Sequence, residues 1–227
     1  MILIDSLIKD GWLKTERIIE AFRKIQRVDF VPEDIKNLAD LNEALPIGFG
    51  QTISQPLVVA FMLELLEPKS GEKILDIGSG SGWTSALLGE IVGEQGKVIA
   101  IEIISELKEF GKKNAAKYSF VEKKIVSFLS RDGSKGYKQE APFDKILTSA
   151  SVHHHTNEAP RFAQENISAS SGVGARKLPR AWKEQLKVEG RIVTPIGTSI
   201  WLFIKKTEDE FEEKEYPGFA FVPLIER

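Results

Sequence analysis

Asp76, Gly78, Gly80 and Gly82 occupy alternate positions in the stretch LDIGSGSGW, with Ser79 between the first two glycines. Glycines spaced this way let a backbone turn tightly and approach a ligand closely. Where such a turn opens a helix, unpaired N–H groups and aligned peptide dipoles favour an anionic group. Glu102 closes the next apolar run, VIAIE. An acid there can accept hydrogen bonds from two ribose hydroxyls. The chemistry implied is the grip of a nucleoside cofactor. A dinucleotide fingerprint, G-x-G-x-x-G, would need glycine at position 83, and the residue there is Trp83.

The pattern Asp76-x-Gly78-x-Gly80-x-Gly82 instead matches S-adenosylmethionine methyltransferases, in which the loop meets the methionine end of the cofactor and no pyrophosphate is present. The competing reading is a tight turn in an unrelated α/β protein. The strand before the loop, the helix after it and the acid at the next strand end favour cofactor binding. RDGSKGY follows a third strand, so Asp132 and Gly133 are expected at the same edge, facing an adenine whose amine Asp132 can accept from. The alternative is an ordinary Asp-Gly turn. Arg131 adds a cation there and is expected to point away.

The elements that must position these residues alternate. KILDIG, KVIAIE, KKIVSFLS, FDKILTSA and GRIVTPIG read as strands, with SGWTSALLGEIVG, SELKEFGKKNAAKY and PRAWKEQLK as helices. Alternation implies a mostly parallel sheet wound on both faces, a Rossmann-like α/β fold. SIWLFIKK and EFEEKEYPGFAFVPLIE add strands whose short connection predicts antiparallel pairing. Upstream, residues 2–9 and 15–27 have helical spacing, with Thr15 as a cap and a break at Pro32. PLVVAFMLELL is a buried helix with Pro56 in its first turn. The whole reads as one domain. Residues 1–70 form a helical and substrate-loop region, and 71–227 form the cofactor-binding core.

Composition narrows the function. The 227 residues carry a formal charge of −2, with 42% apolar and 28% charged side chains. Without a basic excess, a broad nucleic-acid surface is not expected. Cysteine is absent, which excludes disulfides, Cys-ligated zinc and thiol catalysis. The N-terminus has no basic start or long apolar run, so a cytoplasmic location without membrane attachment is expected.

LPIGFGQTISQP, residues 45–56, reads as a stiff loop before the Pro56 helix. Together with LDIGSGSGW, VIAIE, DGSKG, APFDKILTSA, QLKVEGRIVTPIG and FAFVPL, in that order, it resembles the protein-L-isoaspartate O-methyltransferase family. The likeness runs from about residue 10 to the C-terminus, apart from residues 151–176. It implies methyl transfer from S-adenosylmethionine to the free α-carboxyl of L-isoaspartyl residues. The ester then closes to a succinimide, and hydrolysis returns some normal aspartate. It further implies that Ser54 is the active-site residue and that Thr52 and Ile53 share the substrate loop. Val222, in FAFVPL, would lie beside the peptide cleft. The other reading of Ser54 is a helix N-cap, compatible with substrate contact. The other reading of FAFVPL is an ordinary core strand. Trp12, Trp182 and Trp201 read as core.

Residues 151–176 depart from the family pattern, since such connections usually take about two to six residues. The segment suits a lid, a specificity element, an interface or a disordered loop. Its His153–His155 run is a poor metal site, because consecutive residues do not share one face; no metal is expected. Asn166-Ile167-Ser168 forms a sequon that needs a secretory context. Two other functions fit the same fold: methylation of a different acceptor, such as a tRNA base or modified peptide, and a non-catalytic cofactor- or peptide-binding module. The expected partners are isoaspartyl peptides and proteins, with the chain as a monomer.

Overall fold

A computed structural model describes residues 2–151 and 178–225. Seven strands form one sheet: β3 (Lys73–Ile77), β4 (Lys97–Glu102), β5 (Val126–Ser130), β6 (Phe143–Thr148), β7 (Leu186–Ile196), β8 (Ser199–Lys205) and β9 (Phe211–Pro217). Their order is β5-β4-β3-β6-β7-β8-β9. The pairs from β5 to β7 are parallel, and β8 and β9 add antiparallel to that edge. The Rossmann-like expectation holds, including the antiparallel C-terminal strands. Strand order reverses between β3 and β6, and ligands of such sheets settle in the crevice outside the carboxyl ends at that point.

The period of two divides the strands between two cores. Leu75, Ile77, Ile99, Ile101, Ile146 and Ile192 face α6 (Arg180–Gln185), where Trp182 is fully buried. Ile74, Val98, Ala100, Leu147 and Val193 face the larger cluster. There they meet α3 (Pro56–Leu66), α4 (Trp83–Val92) and α5 (Ser105–Ala116). The helices α1 (Ile2–Lys9) and α2 (Glu16–Lys24) contribute Leu7, Ile18 and Phe22 to the same cluster.

Several local expectations change. The second helix stops at Lys24 with Ile25 as its cap, ahead of Pro32, and two 3-10 turns follow at Arg27–Phe30 and Glu33–Leu38. Thr15 makes no side-chain cap. Its hydroxyl donates instead to Glu64 of α3 at 2.7 Å, and the N–H groups of Lys14 and Thr15 donate to the other oxygen of that carboxylate. A tertiary acceptor outcompeted the local cap. Residues 45–56 are not a plain loop. Leu45–Gly48 (β1) and Gln51–Ile53 (β2) pair as an antiparallel hairpin, with Gly48, Phe49 and Gly50 at positive φ in its turn. The α6 helix ends at Gln185, because Leu186 already pairs with Phe143. After Pro217 the tail leaves the sheet, so FAFVPL is not a core strand.

Candidate functional site

The glycine turn lies at the switch point, between the ends of β3 and α4. Gly78, Gly80 and Gly82 all have positive φ. At Gly82 the need for glycine is also spatial: a Cβ would lie 2.8 Å from the Gly111 carbonyl oxygen and 2.9 Å from its Cα. The turn is therefore pressed against α5. Glu102 is buried and braces the loop from the next strand. Its Oε2 accepts from the Gly80 N–H at 2.9 Å and its Oε1 from the Ile104 N–H at 3.0 Å. Each oxygen has a second lone pair left for a hydroxyl donor.

Asp76 is fully buried one strand inward, and its Oδ2 accepts from the Ser85 hydroxyl at 2.5 Å. Burial raises its pKa to about 7, the Ser85 hydrogen bond pulls the other way, and the nearby Glu102 charge adds to the rise. It lies beneath the turn and fixes the first residues of α4. Ser79 is buried in the turn, and it lines the narrower end of the cleft with Ser81 and Thr84.

An open cavity of about 530 Å³ runs across the strand ends; Gly78, Gly80, Glu102, Ile104, Arg131 and Gly133 are among its walls. Sequence reading placed Asp132 there as an adenine contact. Its carboxylate accepts from the Ser134 N–H at 3.0 Å and the Ser134 hydroxyl at 2.7 Å, and pairs with Lys135 at 3.0 Å. Those bonds make it a cap of the 3-10 turn Gly133–Lys135. Gly133 serves packing as well as access, since a Cβ there would sit 2.3 Å from Cγ2 of Ile77. Arg131 borders the cavity, and its guanidinium lies 4.9 Å from the centroid of Tyr137, a ring that is not among the cavity walls. Trp182, expected to be core, is core and also donates from Nε1 to the Gly133 carbonyl at 2.8 Å.

The second half of the site comes from the hairpin and the C-terminal tail. Thr52, Ile53 and Ser54 line the cleft beside Gly78–Ser81. Thr52 and Ser54 then continue into a neighbouring recess of about 710 Å³ shared with Val58, Ala220, Phe221 and Val222. Ser54 is not the N-cap of α3, a position held by Gln55. The cap bond comes from Asn42, whose Oδ1 accepts from the Leu57 N–H at 3.0 Å. Val222 walls both spaces. The tail is fixed there by the Ser151 N–H donating to the Val222 carbonyl and the Leu224 N–H donating to the Ser151 carbonyl, each at 2.8 Å. Ser149 was missed: with Thr52 it borders the cofactor-side cavity, its narrow end and the recess. Its place at the end of β6, beside the switch point, was the available signal. The His153–His155 run, the sequon and the rest of the segment from 152 to 176 lie outside the described residues.

A glycine turn and a braced acid at the switch point of this sheet define a class I, Rossmann-like methyltransferase. The family model described as Protein-L-isoaspartate(D-aspartate) O-methyltransferase (PCMT) matches residues 1–161 and 165–227. The protein-L-isoaspartate O-methyltransferase of Methanopyrus kandleri is 40% identical over 98% of this chain and 89% of its own. That of Thermococcus sibiricus is 38% identical over 99% and 92%. A crystal structure from Plasmodium falciparum in complex with S-adenosyl-L-homocysteine superposes with a TM-score of 0.78 at 18% identity, covering 99% of this chain and 97% of its own. The chain belongs to the protein-L-isoaspartate(D-aspartate) O-methyltransferase family.

Proposed function

We propose that this protein transfers a methyl group from S-adenosylmethionine to the free α-carboxylate of L-isoaspartyl residues in damaged proteins. The observation that carries the reading is the family match over nearly the whole chain, joined to one continuous cleft between glycine turn and hairpin. When bound, S-adenosylmethionine supplies a methyl group on a positively charged sulfur. The residues present suit it. Glu102 holds acceptor capacity for ribose hydroxyls, and Gly78 and Gly80 expose backbone beside it. Ile104, Arg131 and Gly133 offer walls for a flat base, and Glu102 places negative charge near a cation, to which Asp76 adds as it ionises near pH 7.

The acceptor carboxylate has a pKa of about 3.5 and is ionised at neutral pH, so no general base is required. The task of the protein is alignment and exclusion of water. Ser54 orients the carboxylate with its hydroxyl, and Thr52 and Ile53 shape the approach. Val222 separates the peptide recess from the cofactor side. Asp132, which also caps its own turn, accepts from the exocyclic amine of the adenine. The methyl ester leaves the protein; its neighbouring backbone amide nitrogen then attacks the ester carbon and expels methanol to give a succinimide, which water opens partly to aspartate.

Isoaspartyl peptides and proteins are the partners in this reading, the chain acts as a monomer in the cytoplasm, and nucleic acid and membrane play no part. No helix among the described residues is long and apolar enough to cross a membrane. Residues 1–227 act as one unit, with the segment from 151 to 176 inserted in the core. The test offers labelled S-adenosylmethionine and two peptides that differ only in L-isoaspartyl against L-aspartyl. Base-labile label on the isoaspartyl peptide alone supports the reading. Label on neither, with cofactor binding intact, overturns it in favour of another acceptor.

A further inference from the structure

Arg27 is 6% exposed, far from the charged surface where an arginine usually sits. It lies in the first 3-10 turn after α2, and among the described residues no carboxylate is bonded to it. Its Nη1 donates to the carbonyls of Ala39 and Leu41 at 2.9 and 3.1 Å. Its Nη2 donates to the carbonyls of Glu43 and Ser54 at 2.7 and 3.1 Å. Its guanidinium carbon also lies 5.4 Å from the centroid of Trp83, the first residue of α4 and part of the cleft wall. Desolvation lowers its pKa to about 10, against an opposing pull from the Asp40 charge, so it remains charged at neutral pH.

Burying a cation this deeply is costly unless its donors are used. Here the planar fork ties the segment before the hairpin, residues 39–43, to the residue after it, Ser54. It thus closes the base of β1–β2 while resting on the helix that follows the glycine turn. We infer that Arg27 is a positioning residue for the substrate side of the site: it sets the main chain at Ser54 relative to Trp83 and the glycine turn. The inference rests on reading Ser54 as the residue that meets the acceptor carboxylate. A lysine cannot do the same work, because its ammonium offers three donors from one point rather than a fork spanning two segments.

The test compares Arg27→Lys and Arg27→Met with the unaltered protein and with Ser54→Ala, well below each melting temperature. The readouts are isoaspartyl-peptide kcat and KM, and Kd for S-adenosylhomocysteine. A shift of about 1 Å in a catalytic group can cost about 10²-fold. We expect kcat/KM to fall on the order of 10- to 100-fold in Arg27→Lys, with cofactor Kd within about threefold. Millimolar guanidinium should restore part of the activity of Arg27→Met and none of that of Ser54→Ala. If Arg27→Met does not fold, Arg27→Lys carries the test alone, since it keeps the charge and most of the volume. A folded Arg27→Lys with unchanged kcat/KM overturns the inference. So does an equal loss in cofactor affinity and turnover, which marks a structural role only. Unaltered turnover in Ser54→Ala with impaired Arg27→Lys would instead overturn the role of Ser54 and leave Arg27 as the anchor of another hairpin group.

Discussion

The two halves of the cleft are built differently. The cofactor half stands on a parallel sheet buried on both faces, and its ligand-facing groups lie at the ends of the three neighbouring strands β3, β4 and β5. Glu102 reaches the glycine turn directly across the β3–β4 pair. The substrate half is gathered from residues 45–54 and 218–225, two segments far apart in the chain that line one recess together. It is held by a buried guanidinium at one end and a two-bond bridge at Ser151 at the other. A methyltransferase must hold its cofactor with fixed geometry and admit peptides of many sequences. A rigid sheet edge suits the first task, and a hairpin with a lightly pinned tail suits the second.

The sharpest way to break this comparison is Gly82→Ala. A Cβ there meets the Gly111 backbone at 2.8 Å and sits at a φ of +83°. Overpacking against backbone costs about 1–3 kcal/mol, and the left-handed conformation adds about 1 kcal/mol or more. Thermal melts should show that loss, and calorimetry should show cofactor binding falling by more than tenfold. Retained stability and affinity would mean that the turn is not pressed against α5. Next comes Ser54→Ala, for which we expect kcat/KM on the isoaspartyl peptide to fall by about 10- to 100-fold. Cofactor Kd should stay nearly constant, so that only the substrate half responds. A matching rise in Kd would erase the division between the halves.

Glu102→Gln should act the opposite way. Hydrogen bonds to a charged group are worth about 1.5–3 kcal/mol, so cofactor Kd should rise by about 10- to 100-fold while peptide KM changes little. The smallest effect belongs to Asp76, whose pKa is raised to about 7 in the fold from 3.8. A carboxyl with a raised folded pKa stabilises the fold fully below its unfolded pKa. That contribution is lost as pH rises from about 3.8 to about 7, with no further change above. In Asp76→Asn, chemical denaturation across this window should lose that part of the pH slope. Affinity for the cationic cofactor should rise a few-fold as pH passes upward through 7 and flatten in the variant. An unchanged slope in both experiments would show that Asp76 ionises like an exposed acid.

Much of this was legible in the sequence, and the reason is local. The glycine turn, its strand, its helix and the acid one strand later depend on neighbours within a short stretch of chain. Their periodicity and turn residues therefore placed β3, α4 and β4 within a residue or two. The role of Thr15 was not legible, because whether a hydroxyl caps its own helix or reaches Glu64 depends on where α3 docks. Asn42 as the cap of α3 and Asp132 as the cap of its own turn were hidden for the same reason. A side chain with several possible partners takes the one that folding brings nearest.

By itself, then, the sequence determined the α/β alternation, the cofactor-side motif and, through its resemblance in QTISQP and FVPL, the family. Apolar period and turn chemistry act over a few residues and survive any later arrangement. Tertiary structure alone decided that residues 45–53 form a hairpin, that Arg131 stacks on Tyr137 at the cleft edge, that Ser149 borders all of the cleft's parts, and that Arg27 sits uncharacteristically inside. Each depends on groups from distant segments competing for the same buried donor or acceptor, and that competition is settled only when the chain is folded.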